Sequence, residues 1–177
     1  MTQAPLMDRI HITEDYDVPR VINGGWQLSA GHALERPLDL ADASRAFNRL
    51  IDMGFDTFDC ADIYTGVEDF FGGIIRERRK AGLRLPQIHT KFVPDLNDLA
   101  NVTPAYIENI ITRSLRRLGV ERLDAVQFHW WDYSVPGMVD VAGELVRLQE
   151  KGLIRLISTT NFNLSLIHIS EPTRLQL

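Results

Sequence analysis

Cysteine is almost absent. Cys60 stands alone among 177 residues, so an internal disulfide is excluded, and neither CxxC nor HExxH spacing offers a zinc site; no metal is expected. A cytoplasmic location is expected from the missing disulfides. Basic excess is also absent: 19 Lys and Arg stand against 24 Asp and Glu, for a formal charge of -5. Without a basic tail or stripe to neutralise phosphates, nucleic acid is not an expected partner. Long hydrophobic runs are missing too. The amino-terminal stretch is interrupted by Asp8 and Arg9, and nothing approaches the roughly 20 apolar residues of a membrane helix, so no membrane partner is expected and the protein should be soluble. What is present is ordinary for a globular domain, 45% hydrophobic and 24% charged, rather than the composition of a disordered chain.

Short apolar runs rich in Val, Ile and Phe alternate with longer segments of helical period. That alternation predicts strands joined by crossover helices into a parallel sheet. The predicted strands cover residues 20–26, 55–59, 87–92, 124–129 and 153–160. Between them, Leu40, Ala43, Phe47, Leu50 and Ile51 make an apolar stripe, with Asp39 as N-cap and Gly54 as terminator, predicting a helix over 39–53. A second stripe, Ile107, Ile110, Ile111, Leu115 and Leu118, follows capping Thr103 and Pro104 and ends at Gly119, with Arg113, Arg116 and Arg117 on the expected solvated face. Further helices are expected over 68–80, whose Arg76, Arg78, Arg79 and Lys80 suit the negative helix end, and over 138–151. Trp26, Asp59, Lys91, His129 and Thr160, at or next to the ends of the five strands, recur at intervals of 33, 32, 38 and 31 residues. Eight such units need roughly 250 residues, the usual size of a (β/α)8 TIM barrel. The expected fold is therefore α/β, a barrel with its first five units present and three strands missing.

Catalytic groups of such a barrel sit where strand ends converge on one mouth. Asp59, Lys91 and His129 fall at strand ends, and Tyr64 lies just beyond Asp59. Singly, Lys91 reads as a surface cation, His129 as a core histidine, Tyr64 as a packed aromatic and Asp59 as a cap. Jointly they bring four proton-sharing groups to one cavity. A tyrosine of ordinary pKa near 10 is a weak acid at neutrality, and the cation of Lys91 would stabilise its phenolate. Asp59 would hold the ammonium, His129 would orient a substrate oxygen, and Tyr64 would protonate it as hydride reaches the carbonyl carbon.

The stretch GFDTFDCADIYTGVE (54–68) resembles the aldo-keto reductase signature, including the five-residue offset from Asp59 to Tyr64. Three further blocks follow in the family's order. IHTK (88–91) looks like the catalytic-lysine strand, DAVQFHW (124–130) like the histidine strand, and GLIRLISTTNF (152–162) like the strand ending in Ser-Asn-Phe. The resemblance implies a catalytic tetrad of Asp59, Tyr64, Lys91 and His129, with Thr160 and Asn161 as partners of a nicotinamide carboxamide. Gly24, Gly25 and Trp26 resemble the turn whose backbone approaches the cofactor, and Asp59 is implied as a further cofactor-binding residue. NADP(H) is the implied cofactor, with NAD(H) left open, because the later loops that hold the pyrophosphate and adenosine phosphate are absent. A small-molecule carbonyl compound is the implied substrate, with Trp26 and Trp130 expected to line its pocket and Trp131 either there or in barrel-end packing. Cys60 stands where the family usually has Thr, and Thr160 where it has Ser.

The implied function is an NADPH-dependent oxidoreductase that reduces an aldehyde or ketone to the alcohol. The alternative is a non-catalytic NADP-binding regulatory subunit resembling potassium-channel β subunits; an unrelated (β/α)8 hydrolase is the third reading. Residues 164–174, LSLIHISEPTR, have no helical stripe, and Pro172 would break one. They resemble an in-frame translation of the adapter used in transposase-based sequencing libraries. Residues 1–163 are thus expected to be the native part of one barrel domain and 164–177 a non-native tail in which His168 and Glu171 form no site. A five-strand piece cannot close, and is expected to be poorly folded and inactive on its own.

Overall fold

The computed structural model describes residues 7–30, 39–163 and 165. Most of the 164–177 segment, with His168 and Glu171, lies outside the described residues. Two strands, β1 (Arg9–Thr13) and β2 (Tyr16–Pro19), form an antiparallel hairpin. They precede β3 (Asn23–Gly24), α1 (Leu40–Asp52), β4 (Thr57–Asp59), α2 (Val67–Lys80), β5 (Gln87–Phe92), α3 (Pro104–Leu118), β6 (Leu123–Phe128), α4 (Met138–Glu150) and β7 (Ile154–Thr159). Strands β3 to β7 pair in parallel and in chain order. A doubly wound sheet reverses its strand order at a switch point; this one advances steadily, as the staves of a barrel do.

The helix ends follow local chemistry. Asp39 accepts hydrogen bonds from the amides of Ala41 and Asp42, at 2.9 and 3.0 Å, and so caps α1. Thr103 Oγ1 accepts from the Tyr106 amide at 3.2 Å. Pro104 fits the first turn of α3, whose own amide needs no partner, and Gly119 closes the helix at φ 68°. Inside, Phe47, Phe58, Phe70 and Phe71 meet with ring centroids 5.1–5.6 Å apart, locking α1 and α2 onto β4. Full burial, as at Phe58 and Phe71, is worth about 1.5–3 kcal/mol for each ring.

Three expectations are corrected. The first barrel strand is not residues 20–26 but only Asn23–Gly24. Gly25 leaves extended geometry at φ -97°, ψ -2°, and a 3-10 turn over Trp26–Leu28 follows. The amino-terminal hairpin, absent from the sequence reading, is tethered by long-range contacts that no local pattern reveals. Arg9 bonds Asp56 at 2.9 Å, Arg155 bonds Asp15 at 2.7 Å, and the Tyr16 hydroxyl lies 2.9 Å from His89 Nε2. Of the arginines expected on the solvated face of α3, Arg116 is exposed but Arg113 and Arg117 turn inward, and so does Arg78, expected only to meet the negative end of α2. Arg78 is buried and binds Asp52 at 2.7 Å and Asn48 at 2.8 Å, while Arg113 and Arg117 reach buried acids beneath the β4–α2 loop.

Candidate functional site

The chain leaves each parallel strand at the same end of the sheet, so the residues closing β4, β5 and β6 share one mouth. Asp59 is the last residue of β4, and Lys91 lies one position before the end of β5. Lys91 Nζ donates to Asp59 Oδ1 at 2.5 Å and to the Cys60 carbonyl at 2.9 Å. Gln127 Nε2 donates to the same Asp59 oxygen at 2.7 Å. The carboxylate is thereby fixed by a cation and an amide from two neighbouring strands. Tyr64 stands in the loop after β4, with Lys91 Nζ 5.6 Å from the centre of its ring.

The electrostatics differ from the sequence expectation at one point. Burial, and after it the charge of Asp59, pushes the Tyr64 phenol above its ordinary pKa. Lys91, paired with the Asp59 carboxylate at 2.5 Å, does not reverse this in the resting site. Tyr64 is accordingly a protonated phenol throughout the neutral range, competent to donate.

His129 follows β6. Its amide donates to the Phe92 carbonyl at 3.1 Å, which fixes the histidine beside β5. Burial foremost, with Lys91 adding to it, lowers its pKa against an opposing backbone hydrogen bond at Thr160, so the imidazole is neutral at pH 7. Asn161 Nδ2 lies 3.5 Å from His129 Nδ1. Asn161 adopts φ 63°, a left-handed conformation that asparagine tolerates better than most residues, and its carbonyl accepts from the Tyr133 hydroxyl at 2.7 Å. Thr160 is held by its amide on the Phe128 carbonyl at 3.0 Å.

On the far side, the Gly25 amide donates to the Asp59 carbonyl at 2.8 Å. A Cβ at Gly25 would stand 3.0 Å from that carbonyl, from Val67 Cγ1 and from Phe71 Cε2, so a larger residue would require these neighbours to give by a few tenths of an ångström. Gly24 faces open space, and Trp26 is exposed beyond it.

Asp59, Tyr64 and Lys91 are thus brought into contact, and His129 joins Asn161 and Thr160 on the adjoining strands. Trp130 is not at the mouth. It is 1% exposed, packs on Phe128 and donates its indole N–H to the Val135 carbonyl at 3.2 Å. Trp131, 47% exposed, instead stands edge-on to His129 with ring centres 4.4 Å apart. The chain turns after β6, so the exposed ring belongs to the second of the two tryptophans. Gln127 was missed. Its signal was available: it lies two residues before His129, and alternate residues of a strand share a face. Among the described residues, no group of three or more His, Cys, Asp or Glu is arranged to hold a metal ion, and no helix is long and apolar enough to cross a membrane.

Comparison with known proteins gives the arrangement its context. The sequence pattern of the aldo/keto reductase family matches residues 20–171. Probable aldo-keto reductase 1 of Glycine max is 28% identical over 165 residues, covering 89% of this chain and 45% of that protein. Methylglyoxal reductase DkgA of Yersinia pestis is 28% identical over 166 residues, covering 93% and 51%. Among solved structures, glycerol dehydrogenase of Gluconobacter oxydans superposes with TM-score 0.74 at 27% identity, covering 93% of this chain and 52% of that one. A thermostable aldo-keto reductase, Tm1743, solved with the inhibitor epalrestat, shares the fold with TM-score 0.75 at 21% identity, covering 94% and 58%. The chain spans about half the length of the curated relatives it matches. With five consecutive staves of the barrel in place and the family pattern running through most of its length, the chain belongs to the aldo/keto reductase family.

Proposed function

We propose that residues 1–163 are the amino-terminal five units of a longer enzyme that reduces an aldehyde or ketone to the alcohol, with NADPH as hydride donor. The observation that carries this reading is the convergence of Lys91 on Asp59 at 2.5 Å beside the Tyr64 ring at 5.6 Å. An ion pair next to a protonated phenol is the equipment needed to hand a proton to an oxygen that is gaining negative charge. The Thr160 hydroxyl and Asn161 amide at the end of β7 offer the donors and acceptors that a carboxamide requires, and the open space at Gly24 leaves room for a planar group. A reduced nicotinamide bound there would supply the hydride.

The chain's own residues do the rest. Neutral His129 donates a hydrogen bond to the carbonyl oxygen and aims it at Tyr64. Tyr64 releases its proton to that oxygen as charge develops, and the ammonium of Lys91 offsets the resulting phenolate. Asp59, held by Gln127, keeps Lys91 in place. Trp131 and Trp26 present aromatic walls suited to an apolar carbonyl compound. Such an enzyme acts in the cytoplasm, where NADPH is available, and needs no metal.

The isolated 177-residue chain is inactive and prone to aggregate, because among the described residues β3 and β7 pair on one side only. Resequencing the source DNA checks the boundary: a native clone should continue after Asn163 into further strands and helices, and a genomic copy ending at Leu177 would overturn it. The function is tested by following NADPH oxidation with a panel of aldehydes and ketones, alongside a binding titration of NADPH. Turnover is expected. Tight NADPH binding without turnover would instead favour a regulatory subunit, and absence of both would end the reading.

A further inference from the structure

Beneath the candidate site lies a second polar cluster that the proposed chemistry does not use. Asp62 and Glu68 are 4% and 1% exposed, and Thr90 is fully buried. Buried carboxylates survive only with partners, and theirs come from two other elements. From α3, Arg117 Nη1 donates to the Asp62 carbonyl at 3.0 Å and to Glu68 Oε2 at 3.2 Å, and Arg113 Nη2 donates to Asp62 Oδ2 at 3.2 Å. From β5 and its end, Thr90 Oγ1 donates to Glu68 Oε1 at 2.7 Å and the Val93 amide to Asp62 Oδ1 at 3.2 Å.

The positions of these contacts matter more than their number. Asp62 and Glu68 bracket Tyr64 in the β4–α2 loop, and Thr90 and Val93 bracket Lys91. Each pair of anchors lies on either side of a residue of the proposed proton-transfer machinery. The arginine that ties them together is held close by a steric detail: a Cβ at Gly72 would stand 2.1 Å from the Arg117 carbonyl, so α2 and α3 touch through their backbones at this point.

We propose that Arg117, assisted by Arg113, is a positioning residue that acts through Asp62 and Glu68 to hold the Tyr64 loop against β5, and thereby sets the spacing between Tyr64 and Lys91. The inference rests on the reading of those two residues as acid and cation. Arg117 reaches neither substrate nor cofactor; its effect passes through the loop. Displacement of a reacting group by about 1 Å can cost on the order of a hundredfold in rate, so loosening this anchor acts on the chemical step rather than on cofactor binding.

The test uses the full-length protein. Arg117→Met is expected to lower kcat about tenfold or more while KM for NADPH stays within about twofold. Arg117→Lys, which keeps the cation, is expected to recover most of kcat. Because Arg117 acts through Tyr64, Arg117→Met should add little to the loss already present in Tyr64→Phe. A folded Arg117→Met with kcat near that of wild type, or with kcat falling equally on the Tyr64→Phe background, overturns the proposal. Should Arg117→Met fail to fold, Glu68→Gln, which keeps an acceptor for Thr90 and removes the charge facing Arg117, is judged by the same two criteria. An inactive wild type would remove the reading of the site itself, and this inference with it, whereas an active wild type with indifferent variants removes the inference alone.

Discussion

Two adjacent glycines of α2 should respond oppositely to the same substitution. At Gly72 an added Cβ meets the Arg117 carbonyl oxygen at 2.1 Å and its carbon at 3.1 Å, whereas at Gly73 it meets nothing within 4 Å. Alanine in a helix interior is worth roughly 0.5–1 kcal/mol over glycine, so Gly73→Ala should stabilise by up to about that amount. At Gly72 the same gain is opposed by an overlap of about 1.3 Å short of ordinary contact (3.4 − 2.1). The obstacle is backbone, and no side chain can swing away. Overpacking of this kind costs about 1–3 kcal/mol, and a helix-helix backbone clash lies at the upper end. The net loss for Gly72→Ala is therefore about 2 kcal/mol, and the gap between the variants about 3 kcal/mol. Equilibrium urea unfolding of the full-length protein measures both. Gly72→Ala matching or exceeding Gly73→Ala in stability would refute the close α2–α3 crossing on which Arg117's placement depends.

Burial and the neighbouring charge of Glu68, opposed by Arg113, push the Asp62 carboxyl up to about 7 from 3.8. The folded protein then holds an extra proton between those values, so the stability Asp62 contributes is complete below about pH 4 and is lost as pH rises through 7. Asp62→Asn should flatten the stability-pH curve in that window by on the order of 1 kcal/mol per pH unit; urea midpoints at pH 5 and 8 with an unchanged slope would count against it. Trp130→Ala should cost about 3–5 kcal/mol of stability, while Trp131→Ala should mainly raise KM for aldehydes; the reverse pattern in urea unfolding and kinetics would restore Trp130 to the mouth. Cys60 is fully buried, and burial followed by the charge of Glu68 pushes its thiol pKa up, so the native protein should resist thiol reagents until unfolded; rapid native labelling would contradict this.

The helices were legible because their signals are local. Asp39, Thr103, Pro104 and Gly119 do their capping within four residues of where they stand. That Asp59, Lys91 and His129 share one end of the sheet was legible for a related reason: in a parallel barrel, chain position at a strand end is already position at the mouth. What escaped depends on partners distant in sequence. Residues 20–26 look like a strand, yet only Asn23 and Gly24 find β4 in register. Arg113 and Arg117 look solvated by helical period and Arg78 looks like a helix-end cation, yet their long side chains cross to Asp62, Glu68 and Asp52. Trp130 and Trp131 differ by one residue, and one residue in a chain leaving a strand decides between core and mouth. Gln127 shares a strand face with His129 by alternation, but its role as a donor to Asp59 rests on the 2.7 Å contact that the fold creates.

The central claim is that Tyr64 is the proton donor of a carbonyl reductase. Its most direct test is Tyr64→Phe in the full-length protein, with NADPH affinity measured by titration and turnover by NADPH oxidation on the best aldehyde found. The account predicts unchanged NADPH affinity and a kcat lower by about 10²–10⁴. A kcat within a few-fold of wild type would contradict it.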